Sequence, residues 1–183
     1  PHTDQNTGID LGIKDLCITS KGKKYENPKT IRKYEKKLAK LQRQLAHKKK
    51  RSQNYNKIKK KIALCHEKIT NSRKDYLHKI SHEIISENQV IVSENLQIQN
   101  MVKDHHLAKA ISDVSWYELT RQLEYKAKWN GRKYIKIDTF YASSQLCSVC
   151  GYQNTEIKDL SIREWSCPVC GAKQDRDINA AKN

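Results

Sequence analysis

Cys147, Cys150, Cys167 and Cys170 fall in two matched units, CSVCG and CPVCG, with 16 residues between Cys150 and Cys167. This spacing constrains the chain more than any other feature. Two residues inside each CxxC let neighbouring thiolates reach one ion, and the glycine that follows permits a tight positive-φ turn that aims backbone N–H groups at sulfur. Four thiolates close a tetrahedral Zn2+ site with no open position, so zinc is expected to be structural and to fold a small ribbon. A pair of redox CxxC motifs is the alternative, and no thioredoxin-like pattern accompanies these units. Cys17 and Cys65 lie on apolar stretches and are expected to be buried small hydrophobes.

Charge is distributed very unevenly. The chain has 183 residues and a net charge of +16, from 36 Lys+Arg against 20 Asp+Glu. Between Lys29 and Lys79 there are 19 basic and three acidic residues, so the whole excess sits there and the remainder is neutral. Such density attracts polyanions by phosphate neutralisation and counterion release, with nucleic acid the commonest partner. A merely solvated helix face would mix both signs more evenly. Lys48, Lys49, Lys50, Arg51, Lys59, Lys60, Lys61 and Arg73 are the candidate contacts. The polar opening PHTDQNTG and the lack of any long apolar run predict neither signal peptide nor membrane span, hence a cytoplasmic chain with reduced thiols. A chain that begins at Pro1 and stops at Asn183 inside an apparent helix is expected to be a fragment.

Periodicity supplies the elements. GIDLGIKDLCITS alternates apolar and polar residues around glycines and GKKYE resumes an extended pattern, which predicts the first strands of a sheet. Ile31, Tyr34, Leu38, Leu41 and Leu45 recur at spacings of three and four. After the linker HKKKRSQNYN, so do Ile58, Ile62, Cys65 and Ile69, followed by Tyr76 and Ile80. These residues predict a hairpin of two basic amphipathic helices packed on each other. QVIVSENL reads as a buried strand ending on Glu94, His106 to Trp129 as a helical stretch stopped by Asn130-Gly131, KYIKID as a further strand, and QDRDINAAKN as the start of a last helix.

Three acidic residues stand out by context. Asp10 lies between Ile9 and Leu11, so on a strand it points away from the core, and Gly8 and Gly12 beside it are expected to leave room for a metal and a phosphate. Glu94 ends an apolar strand. Asp177 begins a helix whose Ile178, Ala180 and Ala181 can pack on the sheet and bring its carboxylate towards the other two. Hard oxygen ligands of this kind suit Mg2+ or Mn2+, and one or two such ions can serve phosphodiester hydrolysis. Each acid taken singly could equally be a cap or a turn residue.

The blocks GIDLGIKDL, IVSENLQIQNMV, SSQLCSVCGY, REWSCPVCG and DRDINAAKN, in this order, resemble the RuvC-like half of TnpB (OrfB) transposon proteins, and the match runs through the basic helices, ISDVSWYELTRQLEYKA and GRKYIKID. The resemblance implies an α/β, RNase H-like mixed sheet carrying an inserted basic helical hairpin and an inserted four-cysteine zinc ribbon. It implies a catalytic triad of Asp10, Glu94 and Asp177 holding divalent metal. The expected division is 7–28 for the first part of the nuclease sheet, 29–86 for the hairpin, 87–141 for the rest of the core, 142–173 for the ribbon and 174–183 for the start of the final core helix. The family's N-terminal half, which grips guide RNA and target duplex, is expected to be absent. The partners implied are DNA and a guide RNA from the transposon end. Departures from the family pattern are ENLQ in place of EDLN, Ala142 in place of proline before Ser143, and Gln174 in place of a frequent histidine; none removes a triad carboxylate.

Two function classes follow. A metal-dependent DNA endonuclease is favoured by the three intact carboxylates, whereas a non-cleaving nucleic-acid-binding fragment or regulator is favoured by the truncated ends. A junction resolvase or DDE-type transposase would leave unexplained the place of the ribbon before RDINAAKN.

Overall fold

The computed structural model describes residues 5–183 apart from 102, 104, 140 and 160, and the side chains of 99, 105–107 and 109 are outside the description. Leu107, part of the helical pattern read from the sequence, is one of these. The chain forms two compact units, residues 1–27 with 80–183 and residues 28–79.

The larger unit is built on a five-stranded sheet. β1 (Asn6–Leu11), β2 (Asp15–Thr19) and β3 (Lys24–Glu26) are antiparallel neighbours, while β4 (Val90–Ser93) and β5 (Lys133–Lys136) add parallel strands on the other side, in the order β3-β2-β1-β4-β5. The chain therefore folds as a mixed α/β protein. β1 alternates as its sequence requires: Ile9 and Leu11 are buried, and Gly8 and Asp10 share the opposite face. α6 (Arg176–Lys182) packs on β1 and β2. A Cβ built on Gly8 would come 1.8 Å from the carbonyl oxygen of Ala181, and one on Gly12 would come 2.9 Å from that of Asp15. The space at these glycines is thus filled by backbone, which corrects the expectation that they leave room for metal and phosphate.

The helical stretch before β5 also departs from its sequence reading. Instead of one helix, α4 (His105–Val114) and α5 (Trp116–Trp129) are separated by Ser115, whose φ of 57° is left-handed. Ser115 ends α4 with an N–H bond to Ile111 O, and its hydroxyl donates to Ser112 O. The break lets the buried Trp116 donate from its indole N–H to Gly12 O at 3.2 Å, in the turn just beyond Asp10. The apolar spacing does carry a trace of the break, since Val114 and Trp116 stand two residues apart where one continuous stripe needs three or four, and the apolar face shifts between α4 and α5. Leu119 and Leu123 of α5 are fully buried, as is Ile91 of β4. A short helix α3 (Ile98–Met101) precedes α4.

The smaller unit contains α1 (Thr30–Ala46) and most of α2 (Gln53–Glu87), joined by a turn in which Arg51 has φ 66°. Its core is Leu41, Cys65 and Ile69 with Ile31, Tyr34, Leu38 and Ile62 packed against them, all residues of the predicted stripes. No helix among the described residues is long and apolar enough to cross a membrane.

The seat of α6 on β1 generates a direct test. Gly8→Ala drives a methyl group into Ala181 O and must displace α6, with an expected cost of about 1–3 kcal/mol. The melting temperature should fall accordingly, and an unchanged value would show that α6 does not rest on Gly8.

Candidate metal centres

The four cysteine sulfurs converge as their spacing predicts. Cys147 Sγ lies 3.7 Å from Cys170 Sγ, Cys150 Sγ lies 3.5 Å from Cys167 Sγ, and all four are within 4.8 Å of one another. A tetrahedral ion with zinc–sulfur bonds of ~2.3 Å separates its ligands by roughly 3.8 Å, so the cluster is compatible with structural zinc. Both knuckles have the same hydrogen bonds: Gly151 N–H donates to Cys147 O and Gly171 N–H to Cys167 O, each at 2.8 Å, with glycine φ of 75° and 71°. The ribbon adds β6 (Glu164–Ser166) paired with β7 (Lys173–Asp175), and a small core of Ile157 and Trp165 beside Cys147 and Cys167.

The thiols are not equivalent. Burial by itself would raise the pKa of Cys147, but the N–H groups of Cys150 and Val149 and the Gln174 side chain outweigh it and lower the pKa to about 6. Gln174 Nε2 donates to Cys147 Sγ at 3.4 Å from a buried position. It stands where the resembling family often has histidine, and an amide N–H can serve the same sulfur.

Asp10 lies on the α6 face of the sheet and interacts with two other acids, Glu94 and Asp177. In the parallel register Ile9 pairs with Ser93, so Asp10 and Glu94 leave adjacent strand ends side by side. Burial is the main reason the Asp10 carboxyl is pushed up to about 9, followed by a hydrogen bond with Glu94, the charge of Glu94 and that of Asp177, with Arg176 opposing. Asp177 is delivered by the first turn of α6, where Asp175 caps the helix by accepting from Asp177 N and Ile178 N at 3.0 and 3.1 Å. One helical turn from Ala181 back to Asp177 covers about 6 Å, close to the two-residue advance from Gly8 to Asp10 along β1.

The triad is looser than the thiolate cluster. Among the described residues only the cysteines form a group of three or more candidate ligands mutually within 4.8 Å. Asp177 instead faces Arg163, whose Nη1 is 3.4 Å from its Oδ1. Arg163 was not singled out in the sequence, and its position just before β6 gave no periodic signal. Arg176, buried, donates to Asp159 O at 2.6 Å and so ties α6 to the ribbon. A cavity of about 250 Å³ opens beside Glu94, between β1, β4 and the last residues of α6.

Of the candidate nucleic-acid contacts, Lys48, Lys49, Lys50, Arg51, Lys59, Lys60 and Lys61 are exposed, whereas Arg73 is half-buried. Tyr34, Lys37, Lys40, Lys61 and Lys68 help line a groove of about 770 Å³ between α1 and α2.

A mixed α/β sheet with a thiolate metal site and a neighbouring carboxylate cluster is the class of protein defined here. Residues 1–105 match the OrfB_IS605 family, described as "Probable transposase", and the chain belongs to that family. Residues 116–183 match the Cas12f1-like TNB domain. A protein of Streptomyces pristinaespiralis named "Putative RNA-guided DNA endonuclease" is 45% identical over 183 residues, covering 100% of this chain and 45% of that protein. InsQ of Escherichia coli, similarly named, is 37% identical over 96% of this chain and 47% of its own length. The chain thus spans about half the length of these relatives. Cas12f1, solved as a complex with sgRNA and target DNA, shares the fold with a TM-score of 0.65 at 22% identity, covering 97% of this chain and 48% of that one.

The raised Asp10 pKa has a definite sign. Between the ordinary value of 3.8 and about 9, folded Asp10 keeps a proton that the unfolded chain has lost, so its contribution to stability falls as pH rises. In zinc-loaded protein without Mg2+, the melting temperature should decline from pH 6 to pH 9. Asp10→Asn should flatten that decline and raise the melting temperature at pH 8 by at least ~2 °C. A variant less stable than the wild type at pH 8 would mean that Asp10 is not under repulsion.

Proposed function

We propose that this chain is the metal-dependent nuclease core of a TnpB-type, RNA-guided DNA endonuclease. The observation that carries the reading is that Glu94 and Asp177, from segments distant in sequence, both act on the Asp10 carboxyl, Glu94 by a hydrogen bond and by its charge and Asp177 by its charge. The strand order with two parallel and two antiparallel pairings supports an RNase H-like core. In this reading residues 7–28, 87–141 and 174–183 form the core, 29–86 the basic hairpin and 142–173 the ribbon, except that 80–86 pack in the larger unit and the β6–β7 pairing carries the ribbon on to Asp175. The names of the relatives support DNA as substrate and RNA as guide.

The chemistry follows from the donor set. Carboxylate oxygens suit Mg2+ or Mn2+, and such an ion, when bound, supplies Lewis-acid activation of phosphate and water. Asp10 and Glu94, from neighbouring strand ends, would hold it from the sheet, and Asp177 from the helix. Asp10 must give up its proton to do so; burial and the two neighbouring acids oppose that loss, and only a cation placed among them would favour it. Arg163, exposed and paired with Asp177, would be placed to turn towards phosphate if that carboxylate held a cation. The cysteines take no part in hydrolysis, since four thiolates leave zinc no open position.

The hairpin would hold nucleic-acid backbone without reading sequence, because lysine is a flexible point charge. Lys48, Lys49, Lys50, Arg51, Lys59, Lys60, Lys61 and Arg73 are assigned to it.

Asp10→Asn and Asp177→Asn should each abolish Mg2+-dependent DNA cleavage by a complete protein carrying this chain as its nuclease part, while RNA and DNA binding persist. Cleavage persisting within tenfold of wild type in both variants would leave a nucleic-acid-binding module as the surviving reading.

Neutralising Lys48, Lys49, Lys50 and Arg51 together should lower the slope of log K against log salt by roughly 3 to 4 units if all four contact duplex phosphates. Titrations of duplex binding at several salt concentrations check this, and an unchanged slope removes the turn between α1 and α2 from the interface.

A further inference from the structure

Asn179 on α6 is fully buried, and its carboxamide is spent on a segment far from it in sequence. Its Oδ1 accepts from Ser148 N–H at 2.9 Å, and its Nδ2 donates to Leu146 O at 2.6 Å and to Ser143 O at 3.5 Å. Leu146 and Ser148 flank Cys147, so this side chain brackets the first knuckle of the cysteine cluster. One turn further on, Asn183 Nδ2 donates to Leu146 O at 2.7 Å and Ser143 O at 2.8 Å. Before the helix, Gln174 reaches the Cys147 sulfur itself. Three amide side chains along one short segment therefore recognise the same knuckle.

The chemistry of the bracket is specific. A carboxamide presents an acceptor and two donors side by side, whereas a carboxylate of the same shape loses the donors and a leucine loses both kinds of group. The leucine leaves Ser148 N–H without its partner, and the carboxylate sets a charged oxygen against Leu146 O, which then keeps only Asn183 as donor. The knuckle has this conformation because its thiolates converge on one point; without zinc the thiolates have nothing to hold them there. Helix α6 has only seven residues, too few to persist without external contacts. Asp177 stands two residues before Asn179, so whatever loosens the bracket loosens the carboxylate.

We propose that Asn179 is a positioning residue that couples zinc occupancy of the ribbon to divalent-metal binding at Asp10, Glu94 and Asp177. The inference rests on the reading of those three carboxylates as metal ligands given above. The coupling is reciprocal: zinc raises the affinity of the carboxylates for metal, and metal there slows the loss of zinc.

The test uses the chain itself, zinc-loaded or stripped of zinc with its thiols kept reduced, and Mn2+ as the probe, with free Mn2+ read by its electron paramagnetic resonance signal. Zinc-loaded wild type should bind Mn2+ at least about tenfold more tightly than the zinc-free form, within the usual range for coupled sites. In Asn179→Leu that ratio should fall to within about twofold while one equivalent of zinc is retained, an effect a general loss of stability would not produce. Asn179→Asp, which keeps the acceptor for Ser148, should be intermediate. Hydrogen exchange on the wild type needs no variant: zinc removal should speed the α6 amides at least about tenfold and leave β1 and β4 unchanged. A ratio unchanged in Asn179→Leu, or α6 protection that survives zinc removal, overturns the coupling. Mn2+ binding that is equal with and without zinc overturns it alone, whereas no Mn2+ binding by the zinc-loaded wild type overturns the carboxylate reading as well.

Discussion

The larger unit depends on one close approach, that of the Ala181 carbonyl to the bare Cα of Gly8. A helix laid on a strand is normally held off by the side chains between them, and here one of those side chains is missing. The closeness puts the first turn of α6 beside Asp10 instead of a side-chain diameter further away. It also orients the helix, because the chain can approach so closely at only one point along β1. Everything that α6 carries inherits that placement: the capping Asp175, the buried Arg176, the carboxylate of Asp177 and the carboxamide of Asn179.

A cluster of three acids is an expensive thing to assemble in the absence of a cation. Burial and its two acidic neighbours raise the Asp10 carboxyl, and the nearest positive charges answer only in part: Arg176 is committed to ribbon carbonyls, and Arg163 meets Asp177 at 3.4 Å from an exposed position. The cost is met elsewhere in the unit, in the fully buried Leu16, Ile84, Ile91, Leu119 and Leu123. Local rules broken at a site and satisfied around it agree with the proposed reading of these acids as ligands of a cation. The thiolate cluster follows the same logic more completely, since its sulfurs already stand at the separations that a tetrahedral ion imposes.

How much of this was legible in the sequence depends on the range of each interaction. The knuckles were readable because ligand spacing within a CxxC is local chemistry, and so were the stripes of α1 and α2 and the alternation of β1. Asp10, Glu94 and Asp177 were marked by what surrounds them on their own strands or helix, but their meeting depends on strand order, which no local pattern encodes. The missed features are all long-range or conformational. Gly8 reads as empty space until α6 is seen to fill it, and Ser115 reads as helix until its left-handed φ breaks α4 from α5. Gln174, Arg163 and Asn179 act through hydrogen bonds or ion pairs with residues 14 to 36 positions away. β6 and β7, three residues each, are too short to show a period and exist because the thiolate cluster brings their ends together.

The segregation of charge follows from the same electrostatics. In the proposed reading an acidic cluster has to meet a phosphodiester that it repels, so a source of attraction is needed somewhere on the protein. If that positive charge were spread over the sheet and its helices, it would lie among the carboxylates and compete with a divalent cation for them, as Arg163 already does for Asp177. Confining the excess to Lys29–Lys79 avoids this, because the helical hairpin folds on a core of its own. The neutral remainder balances its cations against its acids, as in the Lys24–Asp175 pair at 3.2 Å beside the cap of α6. Attraction that acts over a Debye length tolerates flexible lysines on a separate unit, whereas metal coordination at bonding distance requires the rigid sheet. The two demands differ in range, and the chain meets them in different places.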